Sequence, residues 1–316
     1  MNAVITAALP VFALILTGWL AARWNLLGSG ATDALNRYVV YLSLPALLFR
    51  AMTQVDLAAM THWGYVGAFA GGIAITFVAG FAGRRRAARA RALTDRSIEG
   101  LAAAYANAGY MGIPLCVALF GAESLAPAAF ATLLTASVLF GCAIALIELD
   151  RQQAPGLGAT LLKVGQALMR NPLLAAPVAG LAWAATGIAL PEGLDRYVTL
   201  LGASASPCAL VAIGLFLART ETASPGPGVL RLVLGKLLLQ PAATAALAFL
   251  VFDMPPLWAW TAVLMSALPI GTGPFMLARM YGRDARLTSR AILVSTLASV
   301  LTISLLVAWI SAHPIN

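Results

Sequence analysis

Charged residues are scarce in this chain of 316 residues, at 10% against 61% hydrophobic residues. Soluble domains usually carry about 25% charged residues, so the composition excludes a single water-soluble core. Apolar stretches of roughly 20 residues recur along the whole chain, and an α-helix of that length spans the hydrocarbon layer of a bilayer. The sequence therefore predicts an integral membrane protein.

Cysteine and histidine are also rare. Cys116, Cys142 and Cys208 lie in apolar runs without a C-x-x-C pair, which is typical of small buried hydrophobic residues. His62 and His313 are far apart and have no partner at helical spacing. Paired aspartates and a Ser/His arrangement are missing as well. We therefore expect no enzyme, no metal site and no cofactor, although H⁺ or Na⁺ remains possible as a coupling ion.

The N-terminal apolar run begins at Ala3 with no Lys or Arg before it, so the basic region of a secretory signal is missing. It is predicted to be a first spanning helix. Hydrophobic runs and loop signals together predict ten spans. These are residues 3–22, 33–52, 63–83, 97–120, 124–147, 171–189, 194–218, 229–252, 257–281 and 288–311.

Basic residues are distributed unevenly between the two sides of these spans. Only Arg50 and Arg196 fall on one side, which leaves 18 of the 20 Lys and Arg residues on the other. The positive-inside rule identifies the basic side as cytoplasmic, so we expect a bacterial inner-membrane protein with both termini outside. The cluster from Arg84 to Arg96 is interpreted as a topology signal rather than a nucleic-acid or lipid-headgroup patch.

The two halves of the chain share motifs at an offset near 160 residues, which predicts an inverted repeat of five spans each, 1–150 and 151–316. Gly and Pro are common in membrane helices, which alone could explain isolated matches. The frequency of Gly and Pro in membrane helices does not explain the Leu-x-Arg-Tyr-Val motif that occurs in both halves. The matches are Pro10 and Gly18 with Pro172 and Gly180, residues 35–39 with 194–198, Pro45 with Pro207, and Pro114 with Pro274.

Spans four and nine each contain glycines followed by a proline, at 107–114 and 267–274. Proline removes a backbone donor and clashes with the preceding turn, so both helices should break near the middle of the membrane. Pro114 and Pro274 suit the first position of the helices that follow. Each new N-terminus carries about half a positive charge, so two converging ends could hold one carboxylate.

Asn107 is the main candidate for substrate contact, because its amide can donate to a carboxylate. The alternatives are that Asn107 and Tyr110 only pack, that Thr272 only satisfies freed carbonyls, and that Ser43 only permits helix packing. The candidate substrate residues are Asn107, Gly109, Tyr110, Gly112, Pro114, Pro269, Gly271, Thr272, Gly273, Pro274, Ser43 and Pro45.

Other polar residues form a second group of candidates. Thr132 and Thr135 in span five, with Ser295 and Ser299 in span ten, could assemble a Na⁺ site. Lys236 and Gln240 share a helix face and could contact an anion. Arg50, Glu99 and Lys236 could either snorkel towards the membrane surface or act in transport.

These motifs together resemble the auxin efflux carrier family, whose bacterial members include malonate-transporter-like permeases. The resemblance is carried by residues 44–49, Asn107-x-Gly109-x-x-Gly112-x-Pro114, 170–172, Lys236 with Pro241, and 269–282. It implies ten helices with broken, crossing helices four and nine, and a homodimer. It also implies a scaffold of spans one, two, six and seven beside a moving unit of the others. Asn107 and the crossover prolines match the family's substrate contacts, whereas the long central loop of plant members is absent.

The resulting hypothesis is a secondary transporter, such as a symporter, that carries a small organic anion, malonate or another dicarboxylate, by an elevator mechanism. A cation/proton antiporter of similar fold is the closest alternative, but it generally needs a buried carboxylate and none stands near either break. The second alternative is a membrane receptor or sensor that does not transport a substrate. The expected partners are the anion, membrane lipid and a second copy of the chain, and no nucleic acid.

Overall fold

The structure is a computed structural model that describes residues 2–28, 30–54, 62–83, 92–150, 172–220, 226–252 and 254–312. Most of the basic cluster (84–91) and the connection 151–171, with Arg170 of the family motif, lie outside the described residues.

The described residues form twelve helices, some of which contain a widened turn. Predicted spans four and nine each correspond to two helices, α4 with α5 and α10 with α11. The helices are α1 Asn2–Arg23, α2 31–53, α3 Trp63–Ala82, α4 Leu93–Ala104, α5 Ala108–Phe120, α6 122–150, α7 Pro172–Ala184, α8 Glu192–Ala218, α9 Pro227–Leu250, α10 Pro256–Ser266, α11 Gly273–Met280 and α12 Arg286–Ala312.

Helix composition fits a bilayer environment. Five helices, α3, α6, α8, α9 and α12, are long and apolar enough to cross a membrane. Along α12, the side chains of Leu297, Leu301, Leu305 and Trp309 recur every four residues, and each is 58–66% exposed. A soluble protein would bury such a stripe, whereas lipid solvates it. Within the described ranges there is no β-strand, only one isolated bridge between Ala106 and Ile270. The described part of the chain is therefore all-helical, and its exposed apolar faces fit an integral membrane protein.

Three interior prolines lie just after a π-helical turn, with one residue between. The turns Val39–Ser43, Ala108–Gly112 and Gly235–Leu239 each end two residues before a proline, at Pro45, Pro114 and Pro241. Proline has no N–H to bond to the preceding turn, and its ring clashes with a carbonyl group of that turn. A wider, π-helical turn removes this clash. In α2 and α9 the proline therefore widens the helix without interrupting it.

Two helix pairs pack with their backbones in contact. A Cβ atom added to Gly18 of α1 would lie 2.1 Å from the carbonyl oxygen of Val211 in α8. A Cβ atom added to Gly180 of α7 would lie 2.4 Å from the carbonyl oxygen of Phe49 in α2. Such a close approach of two backbones is possible only with glycine. Helix α1 therefore packs directly on the backbone of α8, and α7 packs directly on the backbone of α2.

Candidate functional site

The interruptions between α4 and α5 and between α10 and α11 meet in the core. The backbone N–H of Asn107 donates to the carbonyl oxygen of Pro269 at 2.9 Å. The backbone N–H of Gly271 donates to the backbone carbonyl oxygen of Tyr105 at 3.0 Å. The N–H of Ile270 donates to the hydroxyl oxygen of Ser295 on α12 at 3.1 Å. Irregular backbone at this depth is thus hydrogen-bonded within the protein, as a membrane environment requires.

A new helix begins on the far side of each interruption. In α5 the N–H groups of Met111 and Gly112 donate to the carbonyl oxygen of Asn107, at 3.1 and 3.2 Å. The N–H groups of residues 108–110 therefore precede the first helical bond. In α11 the first such bond runs from Met276 to Thr272 at 3.1 Å, and Pro274 has no N–H. Helix α5 thus begins six residues before Pro114, earlier than the sequence predicted, because its first turn is π-helical.

Both helix beginnings open into one cavity of about 360 Å³. Its polar wall is formed by Asn107, Tyr110 and Thr272, together with threonines of α6. Its apolar wall comes from α2, α6, α7 and α11, and it extends to Ile144 and Met280 near the ends of α6 and α11. Among the described residues that line this cavity, none carries a charged side chain. The backbone N-termini are therefore its main positive feature.

The structure brings seven of the predicted site residues to this cavity and leaves the others outside its wall. Lining residues are Asn107, Gly109, Tyr110, Thr272, Gly273, Thr132 and Thr135, whereas Gly112, Pro114, Pro269, Gly271, Pro274, Ser43, Pro45, Ser295, Ser299, Lys236 and Gln240 do not line it.

Several of the residues outside the wall support the crossing itself. Pro269 and Gly271 use their backbone groups in the bridge described above. A Cβ atom on Gly112 would lie 2.5 Å from the sulfur of Met265, so this glycine lets α5 approach α10. Ser43 is fully buried in the π-turn of α2, just before Pro45. These residues hold the backbone in place without facing the cavity.

The four candidates for an ion site divide between two places. Thr132 donates to the carbonyl oxygen of Ala128 at 2.9 Å, and the hydroxyl of Thr135 is buried without a hydrogen-bond partner in the described part of the chain. Ser295 accepts the N–H of Ile270 behind the crossing, and the hydroxyl of Ser299 donates to Thr296 within α12. Only the two threonines face the cavity.

The charged candidates all have polar partners. The amine of Lys236 donates to the carbonyl oxygen of Ser266 at 2.6 Å, while the nearby buried amide of Gln240 has no partner among the described residues. Arg50 forms an ion pair with Asp195 at 2.8 Å, and Glu99 forms one with Arg231.

Tyr105 is a cavity residue that the sequence analysis did not identify. Its ring lies against Gly273, where an added Cβ atom would be 2.6 Å from the Tyr105 Cζ, and it packs edge-on against Phe140 at 6.1 Å between ring centroids. The position of Tyr105 in the sequence, two residues before Asn107 and beside the predicted break, could have indicated that it lies at the site.

Comparison with known proteins decides the family. Residues 3–307 match the model of a family described as "Membrane transport protein". This chain belongs to that family, the auxin efflux carrier family. The family consists of membrane transporters and not of enzymes.

Other members of the auxin efflux carrier family are similar over nearly their whole length. A "Putative malonate transporter" of Rhizobium meliloti is 30% identical over 298 residues, which cover 94% of this chain and 92% of the relative. An "Uncharacterized transporter" of Methanothermobacter thermautotrophicus is 27% identical, with 94% and 95% coverage. "Auxin efflux carrier component 8" of Arabidopsis thaliana is 24% identical, with 95% coverage of each chain.

Proposed function

We propose that this protein is a secondary transporter that carries a small organic carboxylate across the bacterial inner membrane. The observation that carries this proposal is the opening of two helix N-termini, those of α5 and α11, into one cavity whose described wall has no charged side chain. Each N-terminus contributes about half a positive charge, so the pair balances about one carboxylate. Asn107 lines the same cavity and supplies an amide donor.

The rest of the cavity wall narrows the class of substrate. Tyr41, Leu44, Phe140 and Met276 form an apolar surface beside the helix ends, which suits the carbon body of an organic acid. The name of the Rhizobium relative makes malonate the first compound to test. Because the two N-termini balance only about one charge, a dicarboxylate would carry its second carboxyl group protonated or hydrated.

The transmembrane arrangement in this proposal is ten spans in two inverted repeats, with both termini outside. The paired contacts of Gly18 with α8 and Gly180 with α2 support it, because these glycines occupy matching positions in the two halves. The cavity reaches Ile144 and Met280, near the ends of helices on the basic side. In this topology the cavity faces the cytoplasm.

The proposed mechanism is an elevator movement in a homodimer. The scaffold is α1, α2, α7 and α8, and the transport unit is α3–α6 with α9–α12. Ion pairs within each unit support this division. Arg50 of α2 pairs with Asp195 of α8 inside the scaffold. Arg231 of α9 pairs with Glu99 of α4 inside the transport unit.

Uptake into proteoliposomes tests the proposal. The purified full chain should accumulate radiolabelled malonate or a monocarboxylate such as hexanoate, and imposed H⁺ or Na⁺ gradients identify the coupling ion. Asn107→Ala should reduce uptake about tenfold or more, since a hydrogen bond to a charged group contributes about 1.5–3 kcal/mol.

A matched control separates a substrate contact from a folding defect. Asn25 lies in the turn after α1 with a φ of 51°, so Asn25→Gly should leave uptake unchanged. Both variants should elute as the wild type does in size-exclusion chromatography. Wild-type uptake in Asn107→Ala, or failure to transport any carboxylate, contradicts the proposed function.

A further inference from the structure

A second cavity, of about 440 Å³, lies where α8 ends and α12 begins. Its walls come from the end of α8, the last turn of α11, the connection to α12 and the first turn of α12. Five arginines line it, Arg219, Arg279, Arg283, Arg286 and Arg290. None of these residues faces the carboxylate cavity described above.

In the described part of the chain, the aspartates that act on these arginines are fewer than the arginines. Arg283 makes two bonds to Asp95, at 2.7 and 2.6 Å, and Arg286 pairs with Asp284 at 2.8 Å. Arg290 also acts on Asp284, whose pKa is lowered mainly by its hydrogen bonds to Arg286 and further by the charge of Arg290. The charge of Asp150 acts on Arg283 as well, so among the described residues three aspartates act on this group of five arginines. Like charges around one cavity repel each other, and a bound anion would offset that repulsion.

The groups that line the cavity suit a phosphate group. A guanidinium presents two parallel N–H donors that match two oxygens of a phosphate. The hydroxyls of Thr220 and Ser289 form a hydrogen bond of 3.3 Å in the same wall, and Thr220 also donates to the carbonyl oxygen of Phe216 at 3.2 Å. The hydroxyl of Ser289 can instead donate to a third phosphate oxygen. The guanidinium carbon of Arg279 lies 5.8 Å from the ring centre of Phe275, so its side chain is partly fixed by a cation–π contact.

We propose that this arginine-lined cavity binds a phosphate group, from either an anionic lipid headgroup or a soluble phosphate compound. Arg219 and Thr220 follow α8, whereas Arg279 and Ser289 belong to α11 and α12. A phosphate held between them connects these helices. In the proposed elevator mechanism, the bound phosphate would join the scaffold to the transport unit and slow their relative movement. Only this consequence rests on the proposed function.

Binding to the purified full-length protein in detergent tests the site without any transport measurement. Two probes distinguish the sources: short-chain phosphatidylglycerol represents a lipid headgroup, and inorganic pyrophosphate represents a soluble phosphate. Each is titrated by microscale thermophoresis at fixed ionic strength. We expect saturable binding of at least one probe, and a loss of affinity of about tenfold or more in the double variant Arg219→Gln/Arg279→Gln.

The control double variant Arg23→Gln/Arg37→Gln removes the same charge from residues outside this cavity, and its affinity should stay within about twofold of wild type. A second variant, Arg219→Lys/Arg279→Lys, keeps the charge but removes the forked geometry, and it should also weaken binding. Binding of phosphatidylglycerol alone assigns a lipid site, and binding of pyrophosphate assigns a soluble ligand. Absence of binding by both probes, or equal loss in the control, overturns the proposal.

Discussion

The amine of Lys236 lies 2.6 Å from the carbonyl oxygen of Ser266, the last residue of α10, and thereby caps the helix that ends at the crossing. Lys236 is fully buried, so this contact is made away from lipid and water. The last carbonyl groups of a helix have no helical partner and attract a positively charged donor. Lys236 therefore holds one end of the interrupted helix and does not line the cavity into which the helix N-termini open.

We expect Lys236→Met to lower the free energy of unfolding by about 1–3 kcal/mol, because the buried carbonyl of Ser266 loses its donor. Chemical unfolding of the protein in detergent measures this change. Leu238→Met is the matched control, since Leu238 lies two residues away on α9 and is 55% exposed. Equal stability of the Lys236 and Leu238 variants would show that the contact contributes nothing.

The ring of Tyr105 occupies the space that a side chain at Gly273 would need, with an added Cβ atom 2.6 Å from Cζ. Gly273→Ala should push the ring into the cavity and reduce carboxylate uptake about tenfold, since overpacking costs about 1–3 kcal/mol. Uptake into proteoliposomes measures this effect. Gly235→Ala is the control, because its Cβ atom would meet nothing closer than 3.8 Å. Replacing the ring, in Gly273→Ala/Tyr105→Leu, should restore part of the uptake; no rescue would argue against a steric cause.

The sequence predicts the helices and their interruptions because both depend on local patterns. Apolar runs of about 20 residues predict α3 at 63–83, against the observed Trp63–Ala82. Glycines before Pro274 predict the start of α11, where the proline occupies the first turn. Local rules are enough for these features, since proline and hydrophobicity act on their own helix.

Other features depend on contacts between distant segments and could not be predicted locally. The pairing of Ala106 with Ile270 joins two interruptions that no spacing rule aligns. The proline rule predicts a break at Pro114, but does not predict that the preceding turn widens so that α5 begins at Ala108. Tyr105 reads as an ordinary packing residue until the fold sets its ring against Gly273.

The contact between α1 and α8 leaves no space for a side chain at Gly214, because an added Cβ atom would lie 2.0 Å from the carbonyl oxygen of Ile15. Gly214→Ala should therefore separate the two helices and lower the thermal unfolding midpoint clearly, since backbone cannot move aside as a flexible side chain can. Gly193→Ala lies in the first turn of the same helix with open space around it, and it should be neutral. A similar midpoint in both variants contradicts the close packing.

Asp150, at the end of α6, accepts the hydroxyl of Thr94 at 2.6 Å and the backbone N–H of Thr94 at 2.9 Å. These bonds lower the pKa of Asp150, the hydroxyl most strongly, and the charge of Arg283 lowers it further. A carboxyl group whose pKa is lower in the folded than in the unfolded chain stabilises the fold above the unfolded value of about 3.9. That contribution disappears as the pH falls through the lowered pKa.

We therefore expect the stability of the wild type to fall more steeply than that of Thr94→Val as the pH is lowered from about 5. The variant lacks the hydroxyl that lowers the pKa of Asp150 most strongly. Asp150 therefore adds less to the stability of the variant at neutral pH, and protonation in acid removes less stability from it. Thermal unfolding midpoints in detergent at a series of pH values measure both curves. Thr17→Val removes a hydroxyl that bonds only within α1, to Ala13 at 2.9 Å, and its curve should run parallel to that of the wild type. If the Thr94→Val curve is parallel as well, the Thr94 hydroxyl does not set the pKa of Asp150.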